Sequence, residues 1–127
     1  MGTQALGRAG EDFAAAWLQD RGFLVIERNW RCQRGELDLV ATDAQTGELV
    51  AVEVKTRAGT GYGHPAEAVG RDKLVRLHAL LNAFAAQQDV SGRSLQRARR
   101  RVDVLALLWP HGASAPTAID HYLGVIP

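Results

Sequence analysis

The sequence predicts an α/β domain in which a mixed central sheet is flanked by helices. Two long stretches carry apolar residues at helical spacing, and shorter runs rich in strand formers lie between and after them. With 127 residues and 46% hydrophobic composition, the chain can bury one sizeable core. Residues 1–127 therefore read as a single domain, with 1–109 as its core and 110–127 as a C-terminal extension.

The lone cysteine, Cys32, excludes an intrachain disulfide and any multi-cysteine zinc site. No apolar run approaches the roughly 18 residues of a membrane span, and the N-terminus lacks a signal-peptide core. A cytoplasmic protein with no membrane partner is the expectation. A net charge of +1 leaves any nucleic-acid footprint to local clustering of charge.

Thr3 suits the N-cap of a helix from about Gln4 to Arg21, with Gly22 at its C-terminal stop. Ala5, Ala9, Phe13, Ala16, Trp17 and Leu18 fall near one stripe that would face the core. Glu11, taken alone, reads as a solvated helix acid. A short strand, Phe23–Ile26, follows, and Asn29, Trp30 and Arg31 then lead into a turn around Gln33-Arg34-Gly35. Trp30 reads as core rather than as a stacking surface for a base.

Next come Gly35-Glu36-Leu37-Asp38-Leu39-Val40 and Val52-Glu53-Val54-Lys55-Thr56-Arg57, joined through turn chemistry at Asp43–Gly47. Strand interiors are depleted in Asp, Glu and Lys, so these charges ask for an explanation. Alternation puts Ala51, Glu53 and Lys55 on one face and Val50, Val52 and Val54 on the other. In the preceding strand Leu37, Leu39 and Ala41 alternate with Glu36, Asp38 and Val40. A turn centred near Gln45 sets Asp38 opposite Glu53 and Glu36 opposite Lys55. Two carboxylates so placed repel unless a cation or a proton lies between them.

The glycine-rich Ala58–His64 has no Walker spacing and reads as a connecting loop or a flap near the site. A second helix is expected from Pro65 to Gln88, burying Val69, Leu74, Leu77, Leu80, Leu81 and Phe84. Its polar first half holds Arg71, Asp72, Lys73 and Arg76, and His78 reads as half-buried. Asp89–Ala98 is a polar loop leading to Arg99, Arg100 and Arg101, which with Arg93 and Arg97 form the densest positive charge of the chain. Such a run is either an ordinary solvated surface or a phosphate contact. It abuts a strand, Val102–Trp109, that would join the same sheet, and Ile119–Ile126 is a last short strand or an extended tail.

Asp38 followed by Glu53-Val54-Lys55 supplies what hydrolysis of a phosphodiester needs. Asp38 and Glu53 offer hard oxygen ligands for Mg²⁺. Lys55, on the face of Glu53, would orient a metal-activated water or stabilise charge on the phosphorane.

On these residues the chain resembles the YraN-type proteins, an uncharacterised bacterial family predicted to be endonucleases. That family has the PD-(D/E)XK, restriction-endonuclease-like fold and is similar to archaeal Holliday-junction resolvases. Gly10-Glu11, Asn29 and Arg31, Gly63, Pro65, Lys73 and Arg101-Val102-Asp103-Val104 also resemble its pattern, while Leu37 stands where the signature has proline. The resemblance implies Glu11 as a third acidic, metal-binding contributor and Lys73 as a phosphate or water contact. It leaves Glu36 between tuning Lys55 and outer metal binding, and makes Asp103 structural, paired with Arg101 or Arg57.

The expected activity is therefore a Mg²⁺-dependent endonuclease on DNA, branched or structured, with Mn²⁺ able to substitute. Asp38, Glu53, Lys55 and Glu11 would be catalytic, and Arg57, Lys73, Arg99, Arg100 and Arg101 would contact nucleic acid. Symmetric cleavage of two strands would call for a homodimer. Two other readings stand beside this one: a nucleic-acid-binding module that does not cleave, and a structural protein whose acids and lysine form a surface ion-pair lattice.

Overall fold

The computed structural model describes residues 1–59, 69–87 and 95–127. In chain order they form α1 (Thr3–Gln19), β1 (Phe23–Cys32), β2 (Gly35–Asp43), β3 (Leu49–Arg57), α2 (Arg71–Gln87), a single 3₁₀ turn at Leu95–Arg97, β4 (Arg100–Leu108) and β5 (Ala118–Tyr122). The five strands make one sheet in sequence order, β1-β2-β3-β4-β5. Short turns make β1–β2 and β2–β3 antiparallel, and β4–β5 is antiparallel as well. The β3–β4 pair is parallel, which requires the long crossover that contains α2. This is the expected α/β class, and it is compatible with a restriction-endonuclease-like fold. Among the described residues no helix is long and apolar enough to cross a membrane.

Strand alternation sends successive side chains to two cores, one under each helix. Val50 and Val52 of β3 and Leu105 and Leu107 of β4 pack with Ala14, Ala15 and Leu18 of α1. Leu49, Ala51, Val102 and Val104 pack with Leu77, Leu81 and Phe84 of α2. The helices therefore cover opposite faces of the sheet.

Several boundaries differ from expectation for local reasons. Helix α1 starts at Thr3 behind a Gly2 cap that makes no side-chain bond, and it ends at Gln19. Gly22 takes the left-handed stop at φ +86°. The buried stripe is Gly10, Ala14, Ala15 and Leu18, whereas Ala16 is exposed. So many alanines give periodicity little contrast, and close packing of Gly10 on the Thr56 side chain sets the phase instead. Strand β1 runs on to Cys32, with a bulge between Val25 and Glu27, and closes on β2 through the two-residue turn Gln33-Arg34. Trp30 is half-buried and packs against the core under α2, edge-on to Phe84 at 5.5 Å between ring centroids.

Within β2, Leu37 joins the core under α2 while Leu39 and Ala41 join the core under α1. Simple alternation puts all three on one face. The phase changes at Asp38, across from Asn29, a non-glycine residue at φ +52°.

Helix α2 begins at Arg71, where the Leu74 N–H donates to the Gly70 carbonyl at 3.0 Å, so Gly70 sits at the helix start rather than inside it. Gly63, His64, Pro65 and Arg93 lie outside the described residues. His78 is half-buried, its Nε2 3.2 Å from the Val125 carbonyl oxygen. The extension packs back: β5 pairs with β4, and the Val125 N–H donates to the Val102 carbonyl at 2.8 Å.

Candidate active site

Leu39 pairs with Val52, the register that sets Asp38 opposite Glu53. The backbone ladder ends at that pair. Beyond it, Asp38 Oδ2 accepts the Val54 N–H at 3.0 Å, so a side chain replaces the next rung. Glu36 consequently does not meet Lys55. Its Oε2 pairs with Arg31 Nε at 2.9 Å, and it joins Glu11 and Asp38 in a cluster whose carboxylate oxygens all lie within 4.8 Å of one another. Glu11 reaches this cluster because Gly10 lets α1 lie directly on β3 at Thr56, where a Cβ would collide. The solvated reading of Glu11 is thereby replaced.

Asn29 holds two of these acids. With its amide nitrogen toward them, it donates to Glu36 Oε1 at 3.0 Å and to Glu11 Oε2 at 3.2 Å. Asparagine tolerates the left-handed backbone better than other side chains, which suits this residue to the position. Residue reading passed over Asn29, and only the family pattern drew attention to it.

Glu53, 6% exposed, stands outside the acidic triangle and is tied to Asp38 on one side and to Lys73 Nζ of α2 on the other. Its Oε2 is the atom that pairs with the Lys73 ammonium. Gly35, Glu36, Asp38, Glu53, Lys73, Arg76, Leu77 and Leu80 enclose a cavity of about 280 Å³.

Burial, then a hydrogen bond and charge repulsion from Glu53, push Asp38 up to about 8. Burial also acts to raise Glu53, but its hydrogen bonds with Asp38 and Lys73 outweigh this and hold it low. The two carboxyls thus split their proton affinities, Asp38 upward and Glu53 downward. Glu11 is raised, first by burial and then by Glu36. The two lysines diverge. Burial and the charge of Lys73 lower Lys55, whereas for Lys73 the pull of Glu53 overcomes burial and raises it.

The remaining basic residues lie elsewhere. Arg101 is buried, with Nε and Nη2 on Asp103 at 2.9 and 3.0 Å and Nη1 on Asp43 and Glu48 at 2.9 and 3.0 Å. Four of its five N–H donors are spent on carboxylates and the side chain is only 9% exposed, so its role as a nucleic-acid contact is withdrawn, and Asp103 takes the structural place expected of it. Arg100 donates Nη1 to the carbonyls of Gln96, at 2.7 Å, and Ala98, while Arg99 is exposed. All three sit at the wrong end. Because β4 is parallel to β3, Arg100 and Arg101 pair with Leu49 and Val50, and Arg101 lies about 10 Å along the strand from Glu53. Arg57 lines a different hollow, with Met1, Thr3, Leu6 and His111.

The donor set suits a hard divalent cation. Glu11, Glu36, Asp38 and Glu53 offer only carboxylate oxygens, and the first three bring one oxygen each to within 4.8 Å of one another.

Fold and site together define a class: an α/β domain whose mixed sheet carries a carboxylate and lysine cluster where two strands part. The chain belongs to uncharacterised protein family UPF0102, whose model matches residues 10–107 and which is the YraN-type family that the sequence resembles. Among its relatives are UPF0102 proteins of Pseudarthrobacter chlorophenolicus, 48% identical over 94% of this chain and 84% of the relative, and of Clavibacter michiganensis subsp. michiganensis, 52% identical over 86% of each. The UPF0102 protein of Mycobacterium ulcerans is 42% identical over 94% of this chain and 93% of its own length.

Proposed function

We propose that this protein is a Mg²⁺-dependent endonuclease of the PD-(D/E)XK type that hydrolyses phosphodiester bonds in DNA, in the cytoplasm, with Mn²⁺ able to substitute. The observation that carries the reading is geometric: half-buried Asp38 stands across the strand pair from buried Glu53, Glu11 and Glu36 cluster with Asp38, and Lys73 Nζ sits on Glu53. Asp38 and Glu53, with Glu11 and Glu36 beside them, would hold the metal. When bound, such an ion polarises a phosphoryl oxygen and lowers the pKa of its water.

The chain's own groups do the rest. Lys55 Nζ, close to Glu53 and Lys73, would orient the attacking water or stabilise charge on the phosphorane. Lys73 Nζ keeps its charge and, once released from Glu53, stabilises the charge growing on the phosphate. Leu77 and Leu80 form an apolar wall of the cavity and limit access of bulk water. The contact of Lys73 with Glu53 favours a second reading, binding without cleavage, because that lysine competes for a metal-binding oxygen.

Cleavage of linear, flapped and four-way DNA, with Mg²⁺ or Mn²⁺, tests both. The wild type should outpace Glu53→Ala by at least about 100-fold on one of these substrates. Equal rates on every substrate would sink the enzyme reading, and binding without cleavage by the wild type would establish the second.

A further inference from the structure

The cluster just described is negatively charged and by itself repels a polyanion, so a DNA strand reaching it must be held by cations elsewhere. Most nearby cations are already engaged. Arg31 pairs with Glu36, Arg28 pairs with Asp12, and Lys73 touches both Glu53 and Lys55. Arg101 is buried in its own ion network at the far end of the sheet. Arg76 and Arg34 differ. Both are exposed, and neither has an ion-pair or hydrogen-bond partner among the described residues.

These two arginines line two neighbouring hollows along one groove line between α2 and the β1–β2 turn, Arg76 the first and Arg34 the second. At the acidic end its walls are Lys73, Arg76 and Leu80 of α2 facing Glu53, Glu36 and Gly35. Further along the same two elements, past the close approach of Gly35 to Leu80, lies a second hollow of about 440 Å³ between Ala83, Ala86 and Gln87 of α2 and Cys32, Gln33 and Arg34 at the β1–β2 turn. Gly35 lets the walls meet closely, since a Cβ there would stand 3.3 Å from Leu80 and 3.7 Å from Arg76. The fourteen steps from Lys73 to Gln87 rise about 21 Å along α2, room for about six stacked nucleotides at about 3.4 Å each.

We infer that this groove between α2 and the β1–β2 turn is a track for a DNA strand leading away from the acidic centre, with Arg76 and Arg34 as its phosphate contacts. The small and apolar Cys32, Ala83 and Ala86 line its outer part and leave the sugar and base faces free of competing charge. The inference rests on the nuclease reading and adds where the substrate lies.

The test is binding of a fluorescein-labelled single strand and of the matching duplex across a salt series, in Ca²⁺, by anisotropy. Each of Arg34→Ala and Arg76→Ala should flatten the slope of log K against log salt by about 0.7–0.9, weakening binding about five- to eight-fold at 0.1 M salt. Arg99→Ala, exposed but at the other end of the sheet, should bind as the wild type does. Wild-type affinity in both groove variants, or an equal loss in Arg99→Ala, overturns the track while leaving the nuclease reading intact. A wild type that binds neither DNA removes both.

Discussion

At the Leu49 end of β3, Arg101 is wrapped by Asp103, Asp43 and Glu48, and Asp103 also accepts from the Gly124 N–H at 3.0 Å and lies 2.9 Å from His121 Nε2. At the Glu53 end, Glu36, Asp38 and Glu53 line one cavity with Lys73 as the lysine among them, Glu11 lies against Glu36 and Asp38, and the acids outnumber the cation. Burial acts to raise the acids at both ends. For Asp103, hydrogen bonds from His121 and Arg101 win and the carboxyl is lowered, and for Asp43 bonds from the Gln45 N–H and Arg101 do the same. For Asp38 nothing wins, and it rises to about 8. One region uses buried charge to fasten β2, β4 and the C-terminal tail together. The other holds buried charge in need of a partner, which is the electrostatic condition of a binding site.

The largest expected effect breaks the fastened end. Arg101→Ala strands Asp103 and Asp43 without their counter-ion and should cost about 3–5 kcal/mol in urea denaturation. Arg101→Lys should recover little of it, because an ammonium cannot reproduce the two-pronged grip on Asp103. A loss below about 1 kcal/mol would mean that the two ends do not differ as described.

A pH series sharpens the contrast, since the two ends have opposite signs. Asp38 binds its proton more tightly folded than unfolded. Its contribution is therefore complete below the ordinary 3.8 and lost as pH rises through about 8. Asp103 and Asp43 are lowered, so their contribution is present above the ordinary carboxylate range and lost only as acid protonates them. In EDTA, the Tm of the wild type should fall relative to Asp38→Asn between about pH 4 and about pH 8. Added Mg²⁺ should reverse the trend, because metal and proton compete for Asp38. Parallel melting curves for the two proteins would contradict the assignment.

A smaller effect separates the backbone of Asn29 from its amide. Asn29→Ala and Asn29→Gly both lose the donors to Glu11 and Glu36, and Mg²⁺ affinity by calorimetry should drop about 10-fold in each. Glycine accepts φ +52° without strain, so only the alanine variant should also lose stability. Unchanged affinity in both would show that the acids need no clamp.

Much of this was legible locally. Alternation along Val50–Lys55 and turn chemistry at Asp43–Gly47 led to the register that sets Asp38 opposite Glu53, and Leu39↔Val52 has that register. Short-range patterns suffice there because a tight turn leaves a hairpin few ways to pair. The phase of α1 was not legible, because an alanine-rich stripe has no contrast until Gly10 meets Thr56.

The sequence by itself determined the α/β class, the hairpin and its register, and the placing of Asp38 across from Glu53. Tertiary structure alone decided which other charged residues join that pair. The ladder ends at Leu39, Asn29 turns left-handed, and Glu36 thereby leaves Lys55 for Glu11 and Asp38. Helix α2 carries the chain back to start β4 beside Leu49, and this parallel crossover removes Arg99, Arg100 and Arg101 from the site that their closeness in sequence to a central strand had suggested. Periodicity reports the face on which a side chain lies. The end of the sheet it reaches is set by chain direction, which depends on contacts between residues far apart in sequence.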